Sequence, residues 1–310
     1  MKVLEGSKGY LFLTNDTNRS IDQYTGEYLI SEEEQLKWAA YLETVAKIRK
    51  ERRMQILFLV APAKEYIYPE NYPFSPGANS PMAQLQERFD IAGERIVYPD
   101  EVLRQSREMS YVKGDTHWSD YGGMLATQAV LNELGMPFDF EESSPKYCMR
   151  SATGDLGSHM EPPRRHDGFF AEFNDAGMSV AFDNGIANHG RIWLYEREQA
   201  SGGIAVVFGD SFAKNVVPWL SLSFKRLVYV HSAAAIDPKV LALEQPDVLI
   251  LQTNSRFVVT APAVDLDTKT VIAKKVNVLP SMEKERLAEM LTAQPDAPYK
   301  EWMQHILDRA

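Results

Sequence analysis

The fold of this 310-residue chain is decided by the stretch Ile204-Ala205-Val206-Val207-Phe208-Gly209-Asp210-Ser211-Phe212. Residues 204–208 have the unbroken apolar character of a buried strand, and the apolar spacing of residues 215–224 predicts a packed helix. Ser211 is therefore expected on a turn between a strand and a helix. There its hydroxyl projects from the carboxyl end of a sheet, and its backbone N–H, near a helix N-terminus, can face a developing oxyanion. This is the position of a nucleophile.

A serine nucleophile needs a base that is itself oriented by a third group. One segment offers both, Lys113-Gly114-Asp115-Thr116-His117-Trp118-Ser119-Asp120-Tyr121-Gly122-Gly123. Ser119 or Asp120 is predicted to cap a helix that Gly135 ends, which leaves Asp115 and His117 in the loop ahead of it. In an extended segment, side chains two residues apart point the same way, so the carboxylate can hold the imidazole tautomer and leave its other nitrogen free.

The same residues also have structural interpretations, which the local sequence leaves open. Serine at the position of Ser211 is a common helix cap. His117 is equally suited to be a hydrogen-bonded structural histidine, with Asp115 as a turn residue and Trp118 as a packing residue. The catalytic interpretation is favoured by the order in which further motifs occur along the chain.

Four further motifs occur in order: Gly6-Ser7-Lys8-Gly9-Tyr10-Leu11-Phe12-Leu13; Val60-Ala61-Pro62-Ala63-Lys64 with Tyr68-Pro69-Glu70; Gly154-Asp155-Leu156-Gly157; and Pro246-Asp247-Val248-Leu249-Ile250. Together with Asp-x-His-Trp and, about ninety residues later, Gly-Asp-Ser-Phe, they resemble the AlgX/AlgJ-like family of SGNH-type polysaccharide O-acetyltransferases. The resemblance covers roughly residues 5–260, with Tyr10 where the family's opening motif has tryptophan. Because Gly-Asp-Ser occurs by chance, the ordered set carries the resemblance.

The resemblance implies a triad of Ser211, His117 and Asp115 in an SGNH-hydrolase-like domain. His117 would take the proton of Ser211, and the serine would attack an acetyl donor to give an acyl-enzyme. A hydroxyl of a polysaccharide or oligosaccharide acceptor would then receive the acetyl group. The donor is expected to be a small molecule or a partner membrane acyltransferase, and no cofactor is expected. The alternatives are a carbohydrate acetyl-esterase that uses the same triad, and a catalytically idle glycan-binding scaffold.

Other polar residues are expected at the same edge of the sheet as candidates for substrate or oxyanion contacts: Asn254, Arg256, Asp210 and Lys64. The Ser211 N–H is one predicted oxyanion donor. The second is left open between Asn254 and a backbone amide of the Pro62 loop. Asp210 is expected to brace the turn by hydrogen bonding.

Two departures from related patterns bear on this site. The family often ends its last core strand with Glu-Arg, whereas here Asn254-Ser255-Arg256-Phe257 has a serine in place of the acid. The more familiar SGNH hydrolases carry their Asp-x-x-His after the serine, whereas Asp115 and His117 precede Ser211. Triads are recognised by geometry and not by chain order, so this circularly permuted motif order is compatible with the same chemistry.

Composition excludes several classes of protein. A net charge of −10 and a pI near 5.2 argue against nucleic-acid binding. The single Cys148 cannot form an internal disulfide, and the spacing of His159, His166 and His189 matches no recurring ligand pattern, so no metal is expected. The N-terminus lacks the apolar run of a secretory signal, which predicts a cytoplasmic protein, or a periplasmic one if an export signal has been removed.

Strands are predicted at residues 55–60, 95–98, 204–208, 227–230 and 248–252, alternating with helices that include one from Ser31 to about residue 53. This pattern predicts an α/β fold with a mostly parallel central sheet in a flavodoxin-like three-layer arrangement. The expected organisation is a catalytic domain at residues 1–270, with an irregular substrate-side insertion at about 137–203. A C-terminal helical extension is expected at residues 271–310.

Overall fold

A computed structural model describes residues 2–15, 18–138, 146–172 and 180–310. Its strands are β1 (Val3–Glu5), β2 (Leu11–Leu13), β3 (Gln55–Ala61), β4 (Ile96–Val97), β5 (Lys146–Ala152), β6 (His166–Glu172), β7 (Phe182–Asp183), β8 (Ile192–Glu196), β9 (Gly202–Gly209), β10 (Phe224–His231) and β11 (Val248–Asn254). Its helices are α1 (Ser20–Thr25), α2 (Glu32–Arg52), α3 (Lys64–Ile67), α4 (Pro81–Ala92), α5 (Asp100–Gln105), α6 (Arg107–Ser110), α7 (Asp120–Leu134), α8 (Gly154–Gly157), α9 (Val217–Leu220), α10 (Pro238–Glu244), α11 (Thr268–Asn277), α12 (Ser281–Thr292) and α13 (Pro298–Leu307).

The central sheet has, within the described residues, the strand order β4-β3-β11-β9-β10-β8-β7. Neighbours from β4 to β10 are parallel, whereas β8 and β7 add to the β10 edge in antiparallel fashion. The carboxyl ends of β9 and β11 lie side by side, with Leu251 opposite Phe208. In sheets of this kind, functional residues gather beyond these carboxyl ends.

Alternate residues of each central strand enter two different cores, one on each face of the sheet. In β3, Leu57, Leu59 and Ala61 pack on one face with α7 and the segment after Ser211. Ile56, Phe58 and Val60 pack on the other face with α2, α4 and α10 to α13. Helices cover both faces of a mostly parallel sheet, so the predicted three-layer α/β fold is confirmed.

Helix α2 begins as predicted, since the Ser31 side chain accepts a hydrogen bond from the Glu34 N–H. The apolar spacing of Leu36, Ala40, Val45 and Ile48 predicts one buried face. Val45 is buried and Ile48 packs against the core, but Leu36 is 73% exposed. The helix also buries Trp38, Tyr41 and Leu42. The two aromatic residues can be buried because their polar atoms have acceptors, the Val258 and Ala234 carbonyls respectively.

The helix predicted at residues 215–224 is much shorter in the structure. The chain forms a 3-10 helix at Ser211–Asn215 and then only one helical turn, α9. Pro218 lies at the start of α9, where its missing N–H is tolerated. Phe224 is already the first residue of β10, opposite Gly202.

Residues 137–203 contain more regular structure than the irregular insertion predicted from their scattered aromatics. Strands β5 and β6 form an antiparallel pair, and β7 and β8 belong to the central sheet. Residues 139–145 and 173–179 of this segment lie outside the described residues. The strands escape a search for long apolar runs because their burial is partial, as in β5, where no residue is fully buried.

The C-terminal segment predicted to be helical, residues 271–310, contains most of α11 and all of α12 and α13. Tyr299, Met303 and Ile306 of α13 are buried in the same core as the sheet. Among the described residues, no helix combines the length and the apolar character that crossing a membrane requires.

Candidate active site

The turn after β9 is held by hydrogen bonds to the backbone and side chain of Asp210. Gln252 of β11 accepts from the Asp210 N–H at 2.8 Å, and Asp210 Oδ1 accepts from the Phe212 N–H at 2.8 Å. Asn254 Nδ2 donates to Asp210 Oδ2 at 2.6 Å. Burial raises the pKa of Asp210, an effect that the hydrogen bonds from Asn254 and Phe212 oppose. Asp210 thus braces the turn that presents Ser211.

Three of the predicted site residues meet in one chain of hydrogen bonds. His117 Nε2 lies 2.7 Å from Ser211 Oγ, and His117 Nδ1 lies 2.7 Å from Asp115 Oδ1. Because an ionised carboxylate only accepts, Nδ1 carries the proton and Nε2 is left to accept from the serine hydroxyl. About a quarter of the Asp115 and His117 side chains is exposed, 25% and 26%, so the site is open to small molecules.

The contact between Asp115 and His117 arises in a turn and not in the extended segment predicted. Asp115 Oδ1 accepts from the His117 backbone N–H at 2.9 Å as well as from the ring. This is the local turn that an aspartate makes with the N–H two residues on. Burial would raise the pKa of Asp115, but the hydrogen bonds and charge of His117, with backbone donors, lower it to about 2.

Helix α7 and the loop that bears His117 pack against the turn that bears Ser211. Gly123 packs so closely that a Cβ there would lie 2.1 Å from the Asn215 carbonyl oxygen, so only glycine fits. Asp120 Oδ1 accepts from Asn215 Nδ2 at 2.7 Å. The Trp118 indole donates to the Phe212 carbonyl at 2.9 Å, the packing role that the sequence indicates. These contacts tie the loop that bears His117 to the turn that bears Ser211.

Lys64 lies beneath this loop and does not face the open site. The residue is 2% exposed, and its Nζ donates to the backbone carbonyls of Val112, Lys113 and Asp115 at 3.4, 2.9 and 2.6 Å. Burial lowers the pKa of Lys64 to about 7, an effect that the charges of Asp115 and Asp155 oppose. The structure thus gives Lys64 contacts to the loop backbone and none of the exposure that a substrate contact needs.

Asn254 and the Ala63 N–H, both candidates for a second oxyanion donor, have partners elsewhere. Asn254 is 1% exposed and donates to Asp210. The Ala63 N–H of the Pro62 loop donates to Ser255 Oγ at 2.8 Å. Ser255, which stands where the family often has a glutamate, therefore makes a structural contact here. The Ser211 N–H has no acceptor among the described residues, so it is free to donate beside the Ser211 hydroxyl.

Arg256 lies behind the nucleophile turn. Its exposed fraction is 8%, its N–H and Nε contact Asn254 Oδ1 at 3.1 and 3.4 Å, and its guanidinium lies 5.7 Å from the centre of the Phe212 ring. The residue does not line the pocket around Ser211. A direct contact with a sugar, one of the roles predicted for it, is therefore not provided by this arrangement.

Asp155 is a site residue that sequence reasoning missed. Its Oδ1 accepts from the Thr116 N–H at 2.7 Å, and its Oδ2 lies 3.7 Å from His117 Nδ1. The sequence signal was the motif Gly154-Asp155-Leu156-Gly157, whose position in space the local sequence cannot give. Asp115, His117 and Asp155 offer ligand atoms within 4.8 Å of one another, a set able to hold a divalent metal. A metal there would have to replace the proton that Nδ1 shares with Asp115.

The pocket at the triad has a volume of about 210 Å³. Ser211 and His117 line it together with Lys214, Asn215 and residues of the β5–β6 region, among them Ala152, Gly154 and Phe170. A larger cavity, about 630 Å³, is lined by the β7–β8 loop, α11 and α12 and contains none of the triad. The hydrogen-bonded serine and histidine therefore lie in the smaller of these two cavities.

The sequence model of one protein family matches residues 3–157, half of the chain, a segment that includes Asp115, His117 and Asp155. That family is described as the SGNH hydrolase-like domain of the acetyltransferase AlgX. This chain belongs to it. The family resemblance predicted from the motifs is therefore confirmed, although Ser211 lies outside the matched segment. A search among curated proteins finds no significant match.

Solved structures with the same SGNH hydrolase-like fold accompany this family match. PatB1 of Bacillus cereus is 14% identical with a TM-score of 0.61, over 86% of this chain and 98% of that one. The O-acetyltransferase domain of Pseudomonas putida AlgJ is 13% identical with a TM-score of 0.54, over 89% and 99%. A DHHW family protein from Eubacterium siraeum is 14% identical with a TM-score of 0.55, over 84% and 95%. At these identities the likeness establishes the fold.

Proposed function

We propose that this protein is a serine-dependent O-acetyltransferase that moves an acetyl group to a glycan hydroxyl through an acyl-enzyme on Ser211. The observation that carries the proposal is the continuous chain from Ser211 Oγ to His117 Nε2 and from His117 Nδ1 to Asp115, both contacts 2.7 Å long. A glycan-binding scaffold has no need of this geometry. PatB1, which shares the fold, has been solved with a sulfonyl adduct, and AlgJ has an O-acetyltransferase domain.

In the first half of the reaction, His117 Nε2 accepts the proton of Ser211 Oγ as that oxygen attacks the acetyl carbonyl of the donor. The negative charge moves to the carbonyl oxygen, where the free Ser211 N–H is placed to donate a hydrogen bond. Collapse of the tetrahedral intermediate breaks the bond to the donor's leaving group, which takes the proton from His117. The products are acetyl-Ser211 and the deacetylated donor.

In the second half, the acceptor hydroxyl gives its proton to His117 Nε2 and attacks acetyl-Ser211. The bond between the acetyl carbon and Ser211 Oγ then breaks, and that oxygen takes the proton back from His117, which gives the acetylated acceptor and the free enzyme. Asp115 holds the imidazole and balances its positive charge in both halves. A transferase must seat the acceptor so that its hydroxyl outcompetes water, because effective molarities from positioning far exceed the concentration of water. Phe170 and Ala152, on the β5–β6 pair, form the pocket wall that we assign to the acceptor.

The experiment that tests the serine mechanism is the intact mass of the protein after brief exposure to p-nitrophenyl acetate. We expect a gain of one acetyl group, mapped by peptide sequencing to Ser211. The matched control is Ser201→Ala, an exposed serine just ahead of β9, at the opposite end of the strand from the nucleophile. Ser211→Ala should lose the adduct while Ser201→Ala retains it. Equal labelling of both variants would contradict the proposal.

Transfer is tested by adding a panel of oligosaccharides to the same ester and measuring the acetylated products by mass spectrometry. Acetylated oligosaccharide that disappears in Ser211→Ala supports a transferase. If every acceptor stays unmodified while a pre-acetylated polymer is deacetylated through Ser211, the protein is an esterase. The acyl-enzyme half of the proposal would then stand and the transfer half would fall.

A further inference from the structure

Asp155 makes contacts that the mechanism above does not use. Its two carboxylate oxygens accept from the backbone N–H and the hydroxyl of Thr116, the residue between Asp115 and His117. Its own N–H donates to Asp115 Oδ2 at 3.2 Å. Asp155, about forty positions away in sequence, is therefore hydrogen-bonded to both Asp115 and Thr116, the two residues that precede His117.

The segment that carries Asp155 is fixed on the same loop. The Leu156 and Gly157 N–H groups both donate to the Gly114 carbonyl, at 3.1 and 2.9 Å. Gly154 has a φ of +65°, and a Cβ there would lie 2.3 Å from the Gly114 oxygen, so the contact requires glycine. Leu156 is fully buried against Leu11 and Leu13. The carboxylate is thus held on a rigid support and is not a mobile surface group.

Resting on the proposed serine mechanism, we propose that Asp155 is a positioning residue for His117. It acts in two ways. Through Thr116 it holds the turn that aims the imidazole at Ser211, and with Oδ2 at 3.7 Å from Nδ1 it places a second negative charge beside the imidazolium. That imidazolium exists only after Ser211 has given up its proton, so the charge stabilises the reacting state more than the resting one.

Other charged groups also face this imidazole, and the effect of Asp155 adds to theirs. Asp115 contacts Nδ1 directly, and the buried Asp210 lies behind the serine turn and interacts with the ring. Lys64 lies under the loop, and Lys214 lines the pocket on the serine side. Removing one carboxylate from this group should therefore leave less negative charge to balance the imidazolium that forms in the reacting state.

The test compares Asp155→Asn and Thr116→Val with wild type, using p-nitrophenyl acetate. We expect Asp155→Asn to lower kcat by about 10- to 100-fold, as loss of an orienting partner does, with KM changed by less than about twofold. Thr116→Val keeps the charge and loses only the hydroxyl contact, so its kcat should fall by less. Asp155→Glu should restore part of the activity.

The matched control is Asp167→Asn, an exposed aspartate on β6 that should behave like wild type. Thermal unfolding of each variant separates positioning from loss of the fold. Wild-type kcat in a folded Asp155→Asn protein would overturn the proposal, as would a variant in which KM rises and kcat does not fall. Loss of activity on chelation that zinc restores would also overturn it, because Asp155 would then be a metal ligand.

The outcome can be told apart from failure of the proposed function. The rate at which a sulfonyl fluoride labels Ser211 depends on activation by His117 and requires no acetyl transfer. If the wild type labels at Ser211 and Asp155→Asn labels more slowly, the positioning role holds whatever the natural acceptor is. If the wild type does not label at all, the serine mechanism itself fails. If both label at the same rate, only the role of Asp155 fails.

Discussion

Asn254 Nδ2 donates to Asp210 Oδ2 at 2.6 Å, where strands β11 and β9 end side by side, and both residues are 1% exposed. The amide therefore supports the nucleophile turn from behind and does not point at substrate. Asn254 Oδ1 accepts from the Arg256 N–H at 3.1 Å, so both the nitrogen and the oxygen of this amide are hydrogen-bonded. Its contribution to activity should come through the position of Ser211.

This arrangement predicts the effect of Asn254→Ala. A buried carboxylate that loses a donor costs about 1–3 kcal/mol, so urea unfolding should show a loss of stability in that range. Acylation of Ser211 should fall in the same variant, because the turn is no longer braced. Ser211→Ala, in contrast, should lose acylation with little change in stability.

Asn277→Ala, at the exposed end of α11, is the matched control and should change neither quantity. If Asn254→Ala kept full stability and lost only acylation, the residue would be an oxyanion donor after all. The bracing role described above would then be wrong.

Lys64 provides a second prediction about the support of the site. Its ammonium supplies the donor for the Val112, Lys113 and Asp115 carbonyls, which lie just before His117. Lys64→Met keeps the aliphatic stem and removes this donor, so stability should fall by about 1–3 kcal/mol. The loop that bears His117 should also be held less firmly, and because His117 activates Ser211, we expect acylation of Ser211 to slow. Urea unfolding and the acylation rate are the two measurements.

The control for this variant is Lys47→Met, a lysine on α2 with 71% of its side chain exposed, which should be close to neutral. A Lys64→Met protein with normal stability would show that the carbonyls find water as a substitute. A protein with normal stability and a raised KM would instead return Lys64 to the substrate-binding role.

The pocket wall gives a prediction about transfer. Phe170 lines the triad pocket, and the Arg150 guanidinium lies 5.3 Å from the centre of its ring. Phe170→Ala should lower acetyl transfer to oligosaccharides by about 2- to 10-fold, the equivalent of about 0.5–1.5 kcal/mol of ring contact. Acylation by p-nitrophenyl acetate should change much less, because the small ester does not need the wall.

The ratio of transfer to hydrolysis, measured with one ester and one acceptor, tests this. Phe74→Ala, at an exposed phenylalanine that does not line the triad pocket, serves as the control and should leave the ratio unchanged. An equal fall in acylation and transfer for Phe170→Ala would assign the ring to the donor side.

Local sequence was sufficient for the parts of this site that lie within a few residues of one another. The strand before Ser211, the capped helix after His117 and the pairing of Asp115 with His117 were all predicted. The direction of the Asn254 side chain was not predicted, because it depends on a hydrogen bond to Asp210, 44 positions away. A polar residue at the end of a strand can point to either face of the sheet. Asp155 was missed for the same reason, since its partner Thr116 lies 39 positions away.

The errors in secondary structure have a different origin. In α2, Leu36 was assigned to the buried face, whereas Trp38 and Tyr41 are buried beside Val45 because distant carbonyls satisfy their polar atoms. After Ser211, the apolar spacing fits a helix, but pairing of Phe224 with the sheet ends it early. In both cases a tertiary contact outweighs the local pattern.

His231, at the end of β10, carries the last prediction, which concerns acid stability. Its Nδ1 lies 2.9 Å from the Tyr229 hydroxyl, which in turn donates to the Asp210 carbonyl at 2.8 Å. Burial, with the charges of Lys214, His189, Lys275 and Arg191, lowers the pKa of His231 to about 3. The folded protein therefore keeps this histidine neutral at a pH where an unfolded chain has already protonated it.

The sign of the effect follows from this difference. Between about pH 6.5 and pH 3 the unfolded chain binds the extra proton, so stability falls as the pH is lowered through that range. At two units below 6.5 the loss from His231 amounts to about 2–3 kcal/mol.

His231→Gln removes the titration, so the fall in unfolding free energy from pH 7.5 to pH 4.5 should be smaller in the variant by about that amount. Urea unfolding at both pH values measures it, and the pH 7.5 value absorbs any change in the Tyr229 contact. His305→Gln, exposed on α13, should retain the wild-type fall. If His231→Gln loses as much stability as wild type between the two pH values, His231 is not held neutral by its surroundings.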